Sequence, residues 1–400
     1  MNLPLHIARK YLFSKKTKNI INIISWISML SIGVGSLALI VVLSVFNGLQ
    51  SLVESMYESF EPDIKITASK GKTIDLSLFP LEEIEQMEGV IHYSKVIEEV
   101  VGVKNGEKQC IATIKGVEES FLDMSNLDSV LVDGSAVLKS NGINYAIVGY
   151  GIAVRLSMYL QSGENLSIYI PKRGNVSSLN LASAFTFKQI TPSSIFYINP
   201  DIDDKYIVVP LEFIQSSLDY ENKITSLELS IASKDQLAVI QERLQQKLGD
   251  EYKVENRYEM NALLYKTNQA EKWITFMILA FILLIAAFNI LSSLTILIMD
   301  KKEDIKVLRS MGASKKLIQK IFFTEGILIN LIGAGGGLLL GTIICLIQQH
   351  FGILKLSGGI VEYYPVELQG LDFILILFTV ILIGGLSSYL PVKVLTKKLL

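Results

Sequence analysis

Cysteine is nearly missing: Cys110 and Cys345 are the only two in 400 residues. Two thiols so far apart exclude a disulfide framework, so any water-exposed domain must be held by its own apolar core. Histidine is equally scarce. His6, His92 and His350 are scattered with no metal-ligand spacing between them, which argues against a zinc-type centre. Charge is thin at 19% of residues, with a net value of −2, and that excludes the basic footprint of a nucleic-acid binder. No GxxxxGK[ST] phosphate loop occurs. The glycines at 333, 337 and 341 have no lysine beside them and fall in an apolar run, so they pack helices and cradle no phosphate. Gly149-Tyr150-Gly151 is half of a dinucleotide fingerprint, without its third glycine or the acid that should follow. No serine, cysteine or histidine stands in a nucleophile arrangement. Nothing here reads as an enzyme, and no cofactor site is expected.

What the chain has instead is long apolar runs. Half of its residues are hydrophobic and its mean hydropathy is +0.42, too apolar for a soluble protein and too charged for one wholly inside lipid. Residues 1–19 carry Arg9, Lys10, Lys15, Lys16 and Lys18 among Leu3, Leu5, Ile7, Leu12 and Phe13. The apolar run behind them is too long for a signal peptide, so they read as an amphipathic helix on the membrane surface. Residues 20–48 hold no charge, ample for a span of about 20 residues. Gly33, Gly35 and Ser36 offer it a small-residue face.

Residues 49–270 form the large intervening domain with its stalk helices. Strands are expected at Asp63–Thr67, Ile91–Val103, Gln109–Lys115, Asn165–Pro171, Ser194–Ile198, Tyr206–Val209 and Leu227–Ile231. Helices are expected at Leu81–Met87, Tyr150–Met158, Pro210–Ser217 and Lys234–Lys247. An α/β domain results. The stretch Pro171–Ala184 has turn chemistry and two cations, Lys172 and Arg173; it is either a plain hairpin connection or a binding loop. From Arg257 to Met299 neither proline nor glycine interrupts the helical pattern, a single rod of roughly 60 Å. Its second half, 271–299, is the second span.

A charged segment at 300–321 follows, then spans at 322–349 and 372–392, a loop at 350–371 and a tail at 393–400. In the charged segment Ile305, Leu308 and Gly312 recur at helical spacing while Lys301, Lys302, Lys306, Lys315 and Lys316 fill much of the rest. This is a surface helix able to press a partner, or an ordinary loop rich in lysine. Gly333, Gly337 and Gly341 stand four apart on one face of the third span, a packing ridge. Cations number five in residues 1–19, seven in 300–320 and three at the C-terminus, against one in 350–370. The positive-inside rule then puts both termini and the charged segment in the cytoplasm and the large domain outside.

No ionisable residue lies deep inside a span; Glu325, at the edge of the third, comes nearest. Proton- and ion-coupled transporters need such groups. Energy for transport must therefore come from another polypeptide, and the 300–321 segment is the cytoplasmic element large enough to receive it.

Four stretches carry a resemblance. They are IARKYLFSKKTKNIINIISWISMLSIGVGSLALIVVLSVFNGLQ (7–50), VGYGIAVRLSMYLQSGENLSIYIP (148–171), KKEDIKVLRSMGASKKLIQKIFFTEGILINLIG (301–333) and EYYPVELQGLDF (362–373). Together they resemble the MacB/FtsX superfamily of ABC-transporter permeases, and more narrowly its lipoprotein-releasing LolC/LolE branch. The third stretch is similar to the superfamily's coupling helix, with Asp304-Ile305 at the usual Glu-Ile pair.

The resemblance implies a type VII ABC permease fold: a membrane α-helical protein with four spans and a large α/β periplasmic domain between the first two. It implies mechanotransmission by a non-catalytic subunit of the bacterial inner membrane. ATP would be bound and hydrolysed by a separate LolD-like ATPase that meets Asp304, Ile305, Leu308, Arg309 and Gly312. A second permease copy or a sister permease, membrane lipid, a lipoprotein substrate and a LolA-like periplasmic carrier complete the expected partners. The outer domain would divide into a porter part (about 61–117 and 199–256) and a sabre part (about 118–198). Pro171, Lys172 and Arg173 fall where the family places its carrier-binding hook. The ending VKVLTKKLL departs from the family's proline-containing tail. A MacB-like efflux permease and an FtsX-like regulator of a cell-wall hydrolase are the alternatives.

Overall fold

The computed structural model describes residues 3–13, 20–172, 184–218, 220–356 and 362–399. It divides into two compact units, one of residues 1–52 with 266–400 and one of 53–265.

The first unit is helical. Its elements are α1 (Leu3–Phe13), α2 (Ile20–Glu58) up to residue 52, α3 (Ala262–Asp300) from residue 266, α4 (Lys302–Ser310), α5 (Lys315–Phe351) and α6 (Gly370–Leu399). Helices α2, α3, α5 and α6 are each long and apolar enough to cross a membrane. They bury one stripe together: Ile32, Leu39, Ile40 and Leu43 of α2 meet Leu283, Ala287, Ile290 and Leu294 of α3, Ala334 and Leu338 of α5, and Ile376 and Val380 of α6. Their other faces stay apolar and bare, among them Trp26, Leu30 and Val34 on α2 and Met277, Phe281 and Phe288 on α3. A soluble protein does not leave so much apolar surface to water; lipid is its solvent.

The ridge of Gly333, Gly337 and Gly341 lies against α2. A Cβ on Gly337 would collide with the carbonyl of Gly33, one on Gly333 with that of Met29, and one on Gly341 with Ile40. Backbones this close admit no side chain. Polar side chains stitch α2 to α3: Ser28 Oγ donates to the Asn289 carbonyl at 3.1 Å, Asn289 Nδ2 donates to Ser31 Oγ at 3.2 Å, and the Ser25 and Ser293 hydroxyls are 3.4 Å apart.

The second unit is built on an 11-stranded mixed sheet. Its main path runs Tyr252–Asn256, Ile64–Ala68, Ser226–Ile231, Val90–Asn105, Lys108–Val117, Tyr206–Pro210, Ile143–Gly149, Phe185–Phe196, Leu131–Gly134. Strand Leu166–Pro171 pairs with both Val90–Asn105 and Phe185–Phe196. The seven expected strands are present, with the fifth starting earlier, at Phe185. Ile143–Gly149, Tyr252–Asn256 and Leu131–Gly134 were not expected. The four expected helices are present but shorter, at Leu81–Glu85, Tyr150–Leu156, Leu211–Gln215 and Leu237–Leu248.

One charged pair sits in the middle of this unit. Lys115 and Glu228 are 2% and 0% exposed and 2.9 Å apart. The ammonium also lies 4.7 Å and 4.6 Å above the rings of Phe60 and Phe121. Lys65 adds contacts of 3.0 Å to Glu98 and 3.7 Å to Glu228. Burial alone would depress the Lys65 ammonium, and Glu98 and Glu228 overcome it and hold it above the ordinary lysine range.

The long rod expected from Arg257 is broken once. Arg257–Met260 is a separate turn of helix, started by a reciprocal capping box between Asn256 and Glu259. It ends at Asn261, whose side chain donates to Glu61 instead of extending the helix. Arg257 is buried and pairs with Glu58, the last residue of α2, and with Asp63.

Candidate coupling site

Between α3 and α5 the helical path is interrupted twice within fifteen residues, at Lys301 and at residues 311–314. The segment 300–321, expected as one helix, is in fact three pieces: the end of α3, the nine residues of α4 and the first turns of α5. Glu303 and Asp304 in the first turn of α4 and Arg309 in its last complement the helix dipole. The stop is a Schellman turn. Gly312 N donates to the Arg309 carbonyl at 2.9 Å and Ala313 N to the Leu308 carbonyl at 3.0 Å. Gly312 stands at φ +88°. It therefore lies beyond the helix and is not part of an apolar stripe with Ile305 and Leu308. Ser314 starts α5 by accepting from Leu317 N at 3.3 Å.

The apolar residues of α4 face two ways. Ile305 is 2% exposed and joins the bundle core beside Leu297, Ile298, Ile318 and Phe322. Leu308 is half-buried. Val307 and Met311 point outward, 58% and 79% exposed, and sequence spacing did not single them out. Asp304 and Arg309 are on the exposed side as well. The result is a short ledge, fixed to the bundle by one isoleucine and presenting two apolar side chains within a charged rim.

Helix α1 supports the ledge from below. The Tyr11 ring stacks on Phe322 with centroids 6.4 Å apart, and Lys301 Nζ lies 5.5 Å from the Tyr11 centroid. The Tyr11 hydroxyl bonds to Asp304; burial first, then the charges of Asp304 and Glu325, push it up to about 12. Lys301 Nζ approaches Asp304 at 3.7 Å, and Lys306 pairs with Glu303 at 2.7 Å. Glu325, expected at the edge of its span, is 1% exposed within α5.

The second group of expected site residues lies far along the chain. Pro171 ends its strand opposite Phe185, and Lys172 N donates to the Ala184 carbonyl at 2.7 Å. Arg173 and the rest of the loop to 183 lie outside the described residues.

Four apolar helices, a strand-rich domain inserted after the first, and a short outward-facing ledge between the second and third define a membrane permease. Its family follows from comparison with known proteins. The family model described as MacB-like periplasmic core domain matches residues 25–247, more than half of the chain, and the chain belongs to that family. The FtsX-like permease C-terminal model matches residues 276–400. The chain is 24% identical over 409 residues to the lipoprotein-releasing system transmembrane protein LolE of Haemophilus influenzae, covering 98% of this chain and 96% of that one. It is 28% identical over 397 residues to LolC of Buchnera aphidicola subsp. Schizaphis graminum, with 97% and 95% covered. LolC of Xylella fastidiosa is 24% identical over 407 residues, with 97% and 95% covered. The resemblance to lipoprotein-releasing permeases read from the four sequence stretches is thus met by named relatives along nearly the whole chain.

Proposed function

We propose that this chain is the transmembrane permease subunit of an ATP-driven mechanotransmission complex. The complex releases lipoproteins from the inner membrane to a periplasmic carrier for delivery to the outer membrane. Its near end-to-end likeness to permeases named for lipoprotein release carries this reading. The ledge supports the mechanism. A LolD-like ATPase docks on Val307, Met311 and Leu308, with Asp304 and Arg309 at the rim and Gly312 setting the turn. Ile305 passes its push to the bundle. No step of bond chemistry belongs to this chain, and ATP stays with the partner.

In this reading the fold is of type VII, and both termini and α4 face the cytoplasm. The 53–265 unit is periplasmic, with porter (about 61–117 and 199–256) and sabre (about 118–198) parts. The bare apolar faces of α2 and α3 contact membrane lipid and the acyl chains of the substrate. A second permease, identical or sister, completes the cavity, and the loop from Pro171 and Lys172 through Arg173 meets a LolA-like carrier. Affinity capture of the protein from detergent, with mass spectrometry of its companions, tests the proposal. A LolD-like ATPase with acylated lipoproteins supports it. The same ATPase with an outer-membrane channel or a cell-wall hydrolase, and no lipoprotein, replaces it with the MacB-like or FtsX-like alternative.

A further inference from the structure

On the side of the bundle remote from α4, three helices each contribute one polar side chain to a single cluster. Asn47 of α2 is 1% exposed and Asp372 of α6 is 4% exposed. Asn47 Nδ2 donates to Asp372 Oδ2 at 2.6 Å and to the Glu367 carbonyl at 3.3 Å. Its Oδ1 accepts from Lys272 Nζ of α3 at 2.6 Å. Lys272 Nζ is also 3.7 Å from Asp372 Oδ1. Both amide protons and the oxygen of Asn47 are therefore engaged, and only a side chain with donor and acceptor on one head can sit between an ammonium and a carboxylate in this way. The segment before α6 is fastened too. Glu367 N donates to the Ser44 carbonyl at 2.9 Å, Ser51 Oγ donates to the Glu367 carboxylate, and a Cβ on Gly48 would overlap Pro365.

Further toward α4 the α2–α3 seam is of another kind. Beside the shared apolar stripe, it holds Gly35 against Leu283 and neutral bonds among Ser25, Ser28, Ser31, Asn289 and Ser293. Ser28 and Ser31 also donate to carbonyls one turn back in their own helix, Ile24 at 3.0 Å and Ile27 at 2.9 Å. Parting this seam leaves those hydroxyls a partner. Parting the cluster leaves a buried carboxylate and an ammonium uncompensated, and charge-assisted bonds are the stronger ones. The α2–α3 seam is thus held by charge at one end and by neutral contacts at the other.

We propose that Asn47, Lys272 and Asp372 are positioning residues of the transport cycle: they clasp α2, α3 and α6 into a fulcrum that stays shut while the ends next to α4 move. This rests on the permease reading. The test uses the full chain, with Cys110 and Cys345 replaced by serine, in lipid nanodiscs with its partner ATPase. Spin labels at Ala270 and Leu371 report the clasp end; labels at Ile23 and Ile296 report the other. All four positions are exposed.

Between nucleotide-free and vanadate-trapped states the Ile23–Ile296 distance should shift and the Ala270–Leu371 distance should stay single and fixed. Lys272→Met should broaden the Ala270–Leu371 distance and lower lipoprotein release roughly tenfold with ATP hydrolysis retained. Lys272→Arg should restore both, which a loss of folding would not permit. A clasp-end distance that moves as far as the other, or Lys272→Met with unchanged distance and release, overturns the proposal. Absence of release by the unvaried complex would instead count against the permease reading, since the distances are measured independently of it.

Discussion

Replacing Gly312 with valine isolates the role of the turn after α4. A Cβ at this position meets no atom within 4 Å, so the substitution creates no clash and no cavity. The cost is purely conformational: at φ +88° an L-residue loses about 1–2 kcal/mol, and a β-branched one is the worst suited. That shifts the equilibrium of the turn by a factor of roughly 5–30 while Ile305 and the bundle core remain as they were. Membrane insertion and thermal melting of the purified protein should be nearly unchanged. Stimulation of ATP hydrolysis on assembling permease with ATPase should fall several-fold, because the ledge no longer holds one orientation between α3 and α5. Gly312→Asn, which tolerates the left-handed region, should keep most of the stimulation. Full stimulation with valine at 312 would refute the claim that the Schellman stop sets the ledge.

Three further outcomes are expected. Met311→Glu combined with Val307→Glu should leave melting within about 0.5 kcal/mol of the parent and abolish co-purification of the ATPase; retained co-purification would move the docking face elsewhere. Lys115→Met should cost about 3–5 kcal/mol by leaving Glu228 buried without its closest partner, and Lys115→Met with Glu228→Leu should recover most of that in denaturant titration. Burial holds the Asp203 carboxyl up at about 6, against backbone N–H groups of Ile198 and Asn199 that pull the other way. The folded state thus keeps the proton that the unfolded state has released, so this group's contribution to stability falls as pH rises from about 4 through 6. Melting compared at the two ends of that window should show a parent-minus-Asp203→Asn difference that changes by on the order of 2 kcal/mol; a constant difference would discard the buried-acid explanation.

The four spans were legible because lipid imposes an all-or-none rule on charge over some twenty positions, and residues 20–48 obey it visibly. The strands were legible where apolar and polar residues alternate, as in Leu227–Ile231, or where β-branched residues dominate a short run, as in Tyr206–Val209. Ile143–Gly149 was missed since its last four residues, Ala146-Ile147-Val148-Gly149, are buried without alternation and only two of them are β-branched. Tyr252–Asn256 was missed because it is a short, charged strand at the sheet edge. Within the coupling site, spacing found Ile305 and Leu308. On a helix of nine residues, periodicity cannot say which apolar side chain faces the bundle, so Val307 and Met311 went unnoticed. The clasp left no local trace at all. Its bonds join residues 225 and 325 positions apart, and an asparagine, a lysine and an aspartate at span ends look like ordinary boundary residues until the helices are folded together.

Helix α2 continues past the clasp without a break, from Ile20 to Glu58. With Asn47 as fulcrum, about 40 Å of helix lies on one side and about 16 Å on the other, at 1.5 Å per residue. Such a rod has a mechanical advantage of roughly 2.5. In the proposed cycle a wide, weak swing at the α4 end of the rod would emerge beyond Asn47 as a shorter, stronger one. Such gearing would suit the proposed release of lipoproteins from a bilayer: it trades distance for force.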